Sequence, residues 1–255
     1  MKRPADPIYV ESLIKADVEE IWRRTQHPEV HQRWDVRFST ITYFDRADDE
    51  PQRFVYGTRV APGLRIDGRG ETLGERHRPD GTAYSGLRFW CDHPLSLIRE
   101  GAGFWRYVPT ADGVRFLTRY DYRPRWGAVG RLIDRMLFRP IFGWATAWSF
   151  DRLRLWIEQD IEPERSRNRM LTHLVAVATL TVIVLHHVVG PLITPLVGGA
   201  PSDGGWIAVR PPTPLTIAVG AVTVAAIVRQ RRAGLPSGRR PLRTPPSTIN
   251  EEVPQ

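Results

Sequence analysis

The sequence predicts an α+β domain, an antiparallel curved sheet around a long C-terminal helix, followed by a transmembrane α-helical hairpin. Three observations predict it. Residues 1–164 alternate between β-branched or aromatic stretches and short turns, an apolar helical stripe closes that region, and two uncharged apolar runs, Leu171–Gly190 and Pro214–Val228, follow.

Ile8–Ile14 reads as a strand bounded by Pro7 and Ala16. Asp17 then caps a helix: Glu20, three residues on, completes a capping box, and Val18, Ile21 and Trp22 mark one face. Pro28 ends that helix, and a short second one runs Glu29–Arg33 before Trp34. Strands follow at roughly Phe38–Phe44, Arg53–Ala61, Leu64–Gly74, Ala83–Cys91, Leu97–Val108 and Val114–Tyr122. Pro79-Asp80-Gly81 and Ala111-Asp112-Gly113 are hairpin turns, because glycine takes positive φ without steric cost. Short links between consecutive strands give an antiparallel meander.

Gly127–Phe138 is a first amphipathic piece, and Pro140 opens a second running to about Asp160. On the second, Phe142, Thr146, Ser149, Phe150, Leu153, Trp156 and Ile157 share one stripe. Such a helix belongs across the concave face of the sheet. The space between them is lined by aromatics and is either a packed core or a cavity. The expected cavity residues are Trp34, Leu87, Phe89, Phe116, Tyr120, Phe142, Phe150, Leu153 and Ile157. Arg65, Asp67, Arg69 and Glu71 share the other face of their strand and read as a solvated surface rather than an acid–base cluster. Leu64, Ile66, Gly68 and Gly70 make the better inner face.

The chain carries 36 Lys+Arg against 28 Asp+Glu, a net +8 that does not point to nucleic acid once its distribution is read. Arg165, Arg167 and Arg169 precede the first run, and six arginines from Arg229 to Arg243 follow the second, leaving residues 1–164 near neutrality. Arginine-rich flanks stay cytoplasmic, which predicts a multi-pass cell-membrane protein with both ends inside. The first run is long enough for a bilayer at 1.5 Å per residue; the second needs the chain from about Trp206. The expected organisation is a domain over 1–164, a hairpin over 165–229 with spans at about 171–190 and 213–228, and a basic, unstructured tail over 230–255. Small residues at Thr172/Ala176 and Ala221/Ala225 allow the spans to pack together or to form a homodimer.

Cys91 is the only cysteine, so no internal disulfide forms and no cysteine-based metal site is expected. His173, His186 and His187 lie in the first run, where hydrogen bonding near the interfaces is a simpler reading than a cofactor site. No metal or cofactor is expected. The N-terminus lacks the apolar stretch of a cleavable signal peptide.

The opening strand with Ala-Asp-Val-Glu-Glu-Ile-Trp (16–22), His-Pro-Glu (27–29) and Arg-Trp-Asp (33–35) resembles the SRPBCC superfamily. So do Arg139-Pro140, Trp148-Ser149-Phe150 and Leu153–Glu158; the resemblance covers about residues 7–162. That group includes START-type lipid-transfer domains and polyketide cyclase/dehydrase-like proteins. The resemblance implies a helix-grip fold with a hydrophobic cavity, and it carries no universal catalytic residue. The expected function is binding or presenting a hydrophobic small molecule or lipid at the bilayer. The alternatives are a polyketide cyclase/dehydrase-like enzyme and a non-catalytic membrane-tethered interaction module.

Overall fold

Seven strands form one antiparallel sheet in a computed structural model that describes residues 6–47, 50–184, 213–232 and 235–246. They are β1 (Ile8–Ile14), β2 (Thr40–Tyr43), β3 (Arg53–Ala61), β4 (Leu64–His77), β5 (Ala83–Trp90), β6 (Ile98–Thr110) and β7 (Gly113–Pro124). The spatial order β1-β7-β6-β5-β4-β3-β2 is a meander in which β1 closes back onto β7. Register shifts at Arg59/Ala61, Thr72/Gly74 and Ile98/Glu100 bend strands that are otherwise regular, which curves the sheet.

Between β1 and β2 lie α1 (Val18–Gln26) and α2 (Pro28–Trp34). The Glu20 amide donates to Asp17 Oδ1 at 2.7 Å, as the cap predicts. The reciprocal half of the capping box does not form, because the Glu20 carboxylate turns to Arg23 and Arg24 instead. Ion pairing on the helix surface outcompetes the return to the Asp17 amide.

After β7 the chain runs through α3 (Gly127–Ile133), a π-helical turn (Asp134–Phe138) and α4 (Arg139–Gln159). The π turn has a local cause. Pro140 lacks an amide hydrogen and its ring would clash with the carbonyl four residues back, whereas a wider turn, closed by the Arg139 amide on the Asp134 carbonyl, removes the clash. On α4, Ala147, Phe150 and Leu153 are fully buried, and Phe150 stacks on Phe116 with ring centres 4.5 Å apart. The curved antiparallel sheet and the long C-terminal helix agree with the helix-grip expectation.

Residues 236–246, part of the tail expected to lack structure, pack with residues 6–164 as one unit. Leu242 and Glu11 exchange both backbone hydrogen bonds, at 2.9 and 2.8 Å, along the open edge of β1. The buried Asp151 carboxylate takes the Ser237 amide and the Arg240 guanidinium, each at 2.7 Å. An unpaired strand edge and a buried charge give this short segment partners that its own sequence does not reveal.

The second unit, from Arg165 to Leu235, contains most of α5 (Pro163–Val184) and all of α6 (Pro214–Arg232). The expected transmembrane hairpin is not found: among the described residues, no helix is long and apolar enough to cross a membrane. α5 opens with the polar PERSRNR, and the apolar part of α6 stops at Arg229. Among the described residues each leaves about 15 apolar positions, or roughly 22 Å of helix against a core of about 30 Å. Residues 185–212, with His186, His187 and Trp206, lie outside the described residues. Both helices expose aliphatic side chains, among them Leu171, Leu174, Val175, Ile217, Val222 and Val224. Thr172, Ala221 and Ala225 are exposed, whereas Ala176 is buried.

Candidate functional site

Between the concave face of the sheet and the first half of α4 lies a cavity of about 540 Å³. Phe54 and Tyr56 of β3, Leu87 and Phe89 of β5, and Tyr120 of β7 form much of its wall, and Phe138 and Phe142 close it from the helix side. Glycines make room for two of these rings. A Cβ at Gly68 would overlap the Tyr56 ring, and one at Gly70 the Phe54 ring, so β4 lets both aromatics lie against its backbone.

The cavity wall has one charged end. Arg37 lines it, held by Asp35 through Nε to Oδ1 at 2.9 Å and Nη2 to Oδ2 at 2.6 Å. Asp35 is fully buried and also takes the Arg37 amide, at 3.1 Å; Ser149 Oγ is 3.2 Å away and His31 Nε2 3.1 Å. Burial works to raise the Asp35 carboxyl, but the Arg37 charge and these hydrogen bonds outweigh it and hold the group well below the usual carboxylate range. The same pairing overcomes burial at Arg37 and keeps it charged. His31, stacked on Trp34 and edge-on to Trp105, is pushed down by burial more than Asp35 pulls it up, which keeps it neutral near pH 7. Burial, helped by the charges of Glu75 and Glu29, pushes Tyr43 up to about 12, so its hydroxyl stays protonated in the wall. The site is therefore an apolar chamber ending in a neutral Arg–Asp pair with hydrogen-bond donors.

The exposed residues in the wall, Val60, Leu95, Trp126 and Ile133, mark the mouth. Trp126 has φ 63°, a left-handed conformation that costs a bulky residue about 1–2 kcal/mol. Its indole N–H donates to the Pro94 carbonyl at 3.2 Å, and the Arg125 amide donates to the Leu97 carbonyl at 2.6 Å. The β5–β6 loop and the β7–α3 turn are thus tied together at the rim.

Leu87, Phe89, Tyr120 and Phe142, expected from the sequence, line the cavity. Trp34, Phe116, Phe150 and Leu153 do not: they are buried in the packed core, and Ile157 packs against it. The helical stripe identified the buried face of α4 but not the point along it where contact with the sheet gives way to space. His31, Arg37, Phe54 and Tyr56 were missed. The signal for β3 was available, since Phe54, Tyr56 and Thr58 alternate on one face; that for Arg37 was not, as it follows a helix end in a turn. Arg65 pairs with Asp67 at 2.6 Å on the exposed side of β4, while Ile66 faces the cavity, in line with a solvated surface.

The fold and cavity define a class: a curved antiparallel sheet closed by a C-terminal helix over an apolar internal chamber. No protein-family model matches the chain. It is 51% identical over 160 residues, 62% of its own length, to the uncharacterized membrane protein YndG of Bacillus subtilis strain 168, and spans 60% of that relative. Among solved structures it is similar to a STAR-related lipid transfer protein from Xanthomonas axonopodis, at 19% identity and a TM-score of 0.44, over 62% of this chain and 96% of that one. It is also similar to the ZhuI aromatase/cyclase of a Streptomyces species, at 10% identity and a TM-score of 0.44, over 60% and 95% of the two chains.

Proposed function

We propose that the chain binds a hydrophobic small molecule or lipid inside the cavity and holds or presents it at a membrane. The observation that carries this reading is the cavity itself: about 540 Å³, within the range of small-molecule sites, with a wall dominated by aromatic and aliphatic side chains. The neutral Arg37–Asp35 pair suits one uncharged oxygen on an otherwise apolar ligand, because Arg37 can donate without attracting a second carboxylate. Exposed aliphatic residues on α5 and α6, the arginines flanking residues 171–228, and the membrane protein named among the relatives support a membrane setting. In this reading residues 165–235 hold the cavity domain at the cytoplasmic face, and their exposed helices can pair in a dimer.

One observation favours the enzymatic alternative. Arg37 and His31 face the cavity and can polarise a carbonyl in the manner of a cyclase site. Against it, no carboxylate stands in the wall among the described residues, Arg37 is held charged, and the His31 Nε2 is taken up by Asp35 at 3.1 Å.

The test uses the full chain purified into amphipol and titrated with N-phenyl-1-naphthylamine, beside its Leu87→Trp variant. Saturable uptake that falls about tenfold in the variant supports the chamber as the binding site. Equal uptake by both, or none by a folded wild type, overturns it.

A further inference from the structure

The helical segment that forms the rim of the cavity is apolar on its outer side. Val129, Leu132, Ile133, Met136, Leu137 and Ile141 are all exposed, Met136 by 73%. Trp126 and Trp144 stand at the two ends of this stretch, each 44% exposed. Together they present apolar surface on the order of several hundred Å², at or beyond the largest patch of a typical soluble monomer. Their spacing along α3, the π turn and the start of α4 repeats at three and four residues, so they share one side of the helical rod.

The charges on this stretch are of one sign. Arg131 and Arg135 are exposed and, among the described residues, neither enters an ion pair. Asp134, its one acid, is buried and engaged by Arg139 at 3.0 Å and by the Tyr122 hydroxyl at 2.6 Å. An apolar face with terminal tryptophans, flanked by arginines and without exposed acid, is the composition of a helix lying in the headgroup layer of an anionic bilayer. The face is also continuous with the mouth, since Trp126 and Ile133 belong to both.

We propose that this α3–π–α4 face is a membrane-docking surface of the cavity domain itself, seated in an anionic lipid surface with the mouth against the acyl chains. The contact is separate from any made by residues 165–235. It gives an apolar molecule a path between bilayer and chamber that avoids water. It rests on the cavity reading only for that purpose, not for its existence.

A bimane label on Met136→Cys in the full chain tests it. The native Cys91, 3% exposed, is replaced by Ser in both labelled proteins so that only the introduced thiol carries bimane. The protein is placed in dioleoyl phosphatidylcholine–phosphatidylglycerol vesicles with or without brominated acyl chains. A second label at Asp112→Cys, on the exposed β6–β7 turn, is the reference. The expected result is bromine quenching at 136 and none at 112. That quenching should fall about tenfold in lipid titre when Arg131 and Arg135 are both replaced by Glu, and weaken in phosphatidylcholine alone. No quenching at 136, or equal quenching at both sites, overturns the proposal. So does label self-quenching that follows protein density, which would make a second copy the occupant. N-phenyl-1-naphthylamine uptake is read in parallel on unlabelled protein: uptake without lipid quenching overturns docking alone, and quenching without uptake overturns the cavity reading alone.

Discussion

The guanidinium of Arg37 is gripped by both oxygens of Asp35, and its Cζ lies 5.6 and 5.7 Å from the ring centres of Tyr120 and Phe142. The charge is thus neutralised on one side and bounded by aromatic faces on the other. Two residues apart on a turn, the pair ties the end of α2 to α4 through Ser149 and puts a polar end on an apolar chamber. Removing either partner alone would leave the other as a buried, uncompensated charge.

This cluster makes stability depend on pH in a defined direction. His31 and Asp35 both have lower pKa values folded than unfolded, so the unfolded chain takes up their protons first. The contribution of neutral His31 is complete above about pH 6.5 and is lost as pH falls toward its folded value. That of Asp35 is complete above about pH 4 and is lost below it. Each group adds a slope of up to about 1.4 kcal/mol per pH unit in its own window. Urea midpoints should therefore fall between pH 6.5 and 5 and fall further below pH 4. The difference between wild type and His31→Gln should carry the upper part. Parallel wild-type and variant curves from pH 7 to 5 would count against a buried neutral His31.

Much of this fold was legible because its signals are local. β1 and β3 begin and end where β-branched and aromatic runs do, and Gly81 and Gly113 have the positive φ their turn sequences call for. The Asp17 cap and the break at Pro140 were equally readable. What the sequence concealed depends on distance in space. Whether Phe142 or Phe150 meets empty space is decided by sheet curvature. Whether Asp151 is satisfied is decided by a segment some 86 residues away.

That distinction separates two kinds of variant. Phe150 is fully buried against Phe116, so Phe150→Ala should cost about 3–5 kcal/mol in urea unfolding. Probe affinity per folded molecule should hardly change, because the ring is not in the wall. Leu87 lines the cavity, so Leu87→Trp should leave the unfolding midpoint within about 1 kcal/mol of wild type while uptake collapses. If Phe150→Ala abolished uptake in still-folded protein, the boundary between core and cavity would lie elsewhere.

Removing the docked tail segment should weaken the cavity domain. A chain ending at Leu235 strips Asp151 of the Ser237 amide and Arg240, Trp148 of its Pro236 acceptor, and Glu11 of both bonds to Leu242. Asp151 keeps Arg154 at 2.9 Å, so the loss is partial, about 2–4 kcal/mol. Urea unfolding measures it, and faster amide exchange at Glu11 locates it. A chain ending at Pro246 retains these contacts and should match the full length.

The same packing constrains how residues 165–235 can meet a bilayer. Residues 6–164 and 236–246 belong to one unit, joined through the β1 edge and Asp151. A folded domain cannot be divided between two aqueous compartments, so the intervening chain must leave and return on one side. Any crossings are therefore even in number, whatever the length of each helix. On the membrane reading proposed above, the arginines flanking both ends of the intervening chain predict that this side is the cytoplasm, since basic flanks resist translocation. Alkaline phosphatase fused after Gln255 should be inactive and green fluorescent protein fused before Met1 should fluoresce. A phosphatase-active C-terminal fusion on a chain whose Glu11 amide keeps its slow exchange would put the domain outside. Activity together with loss of that protection would mean that the tail had left the domain to cross.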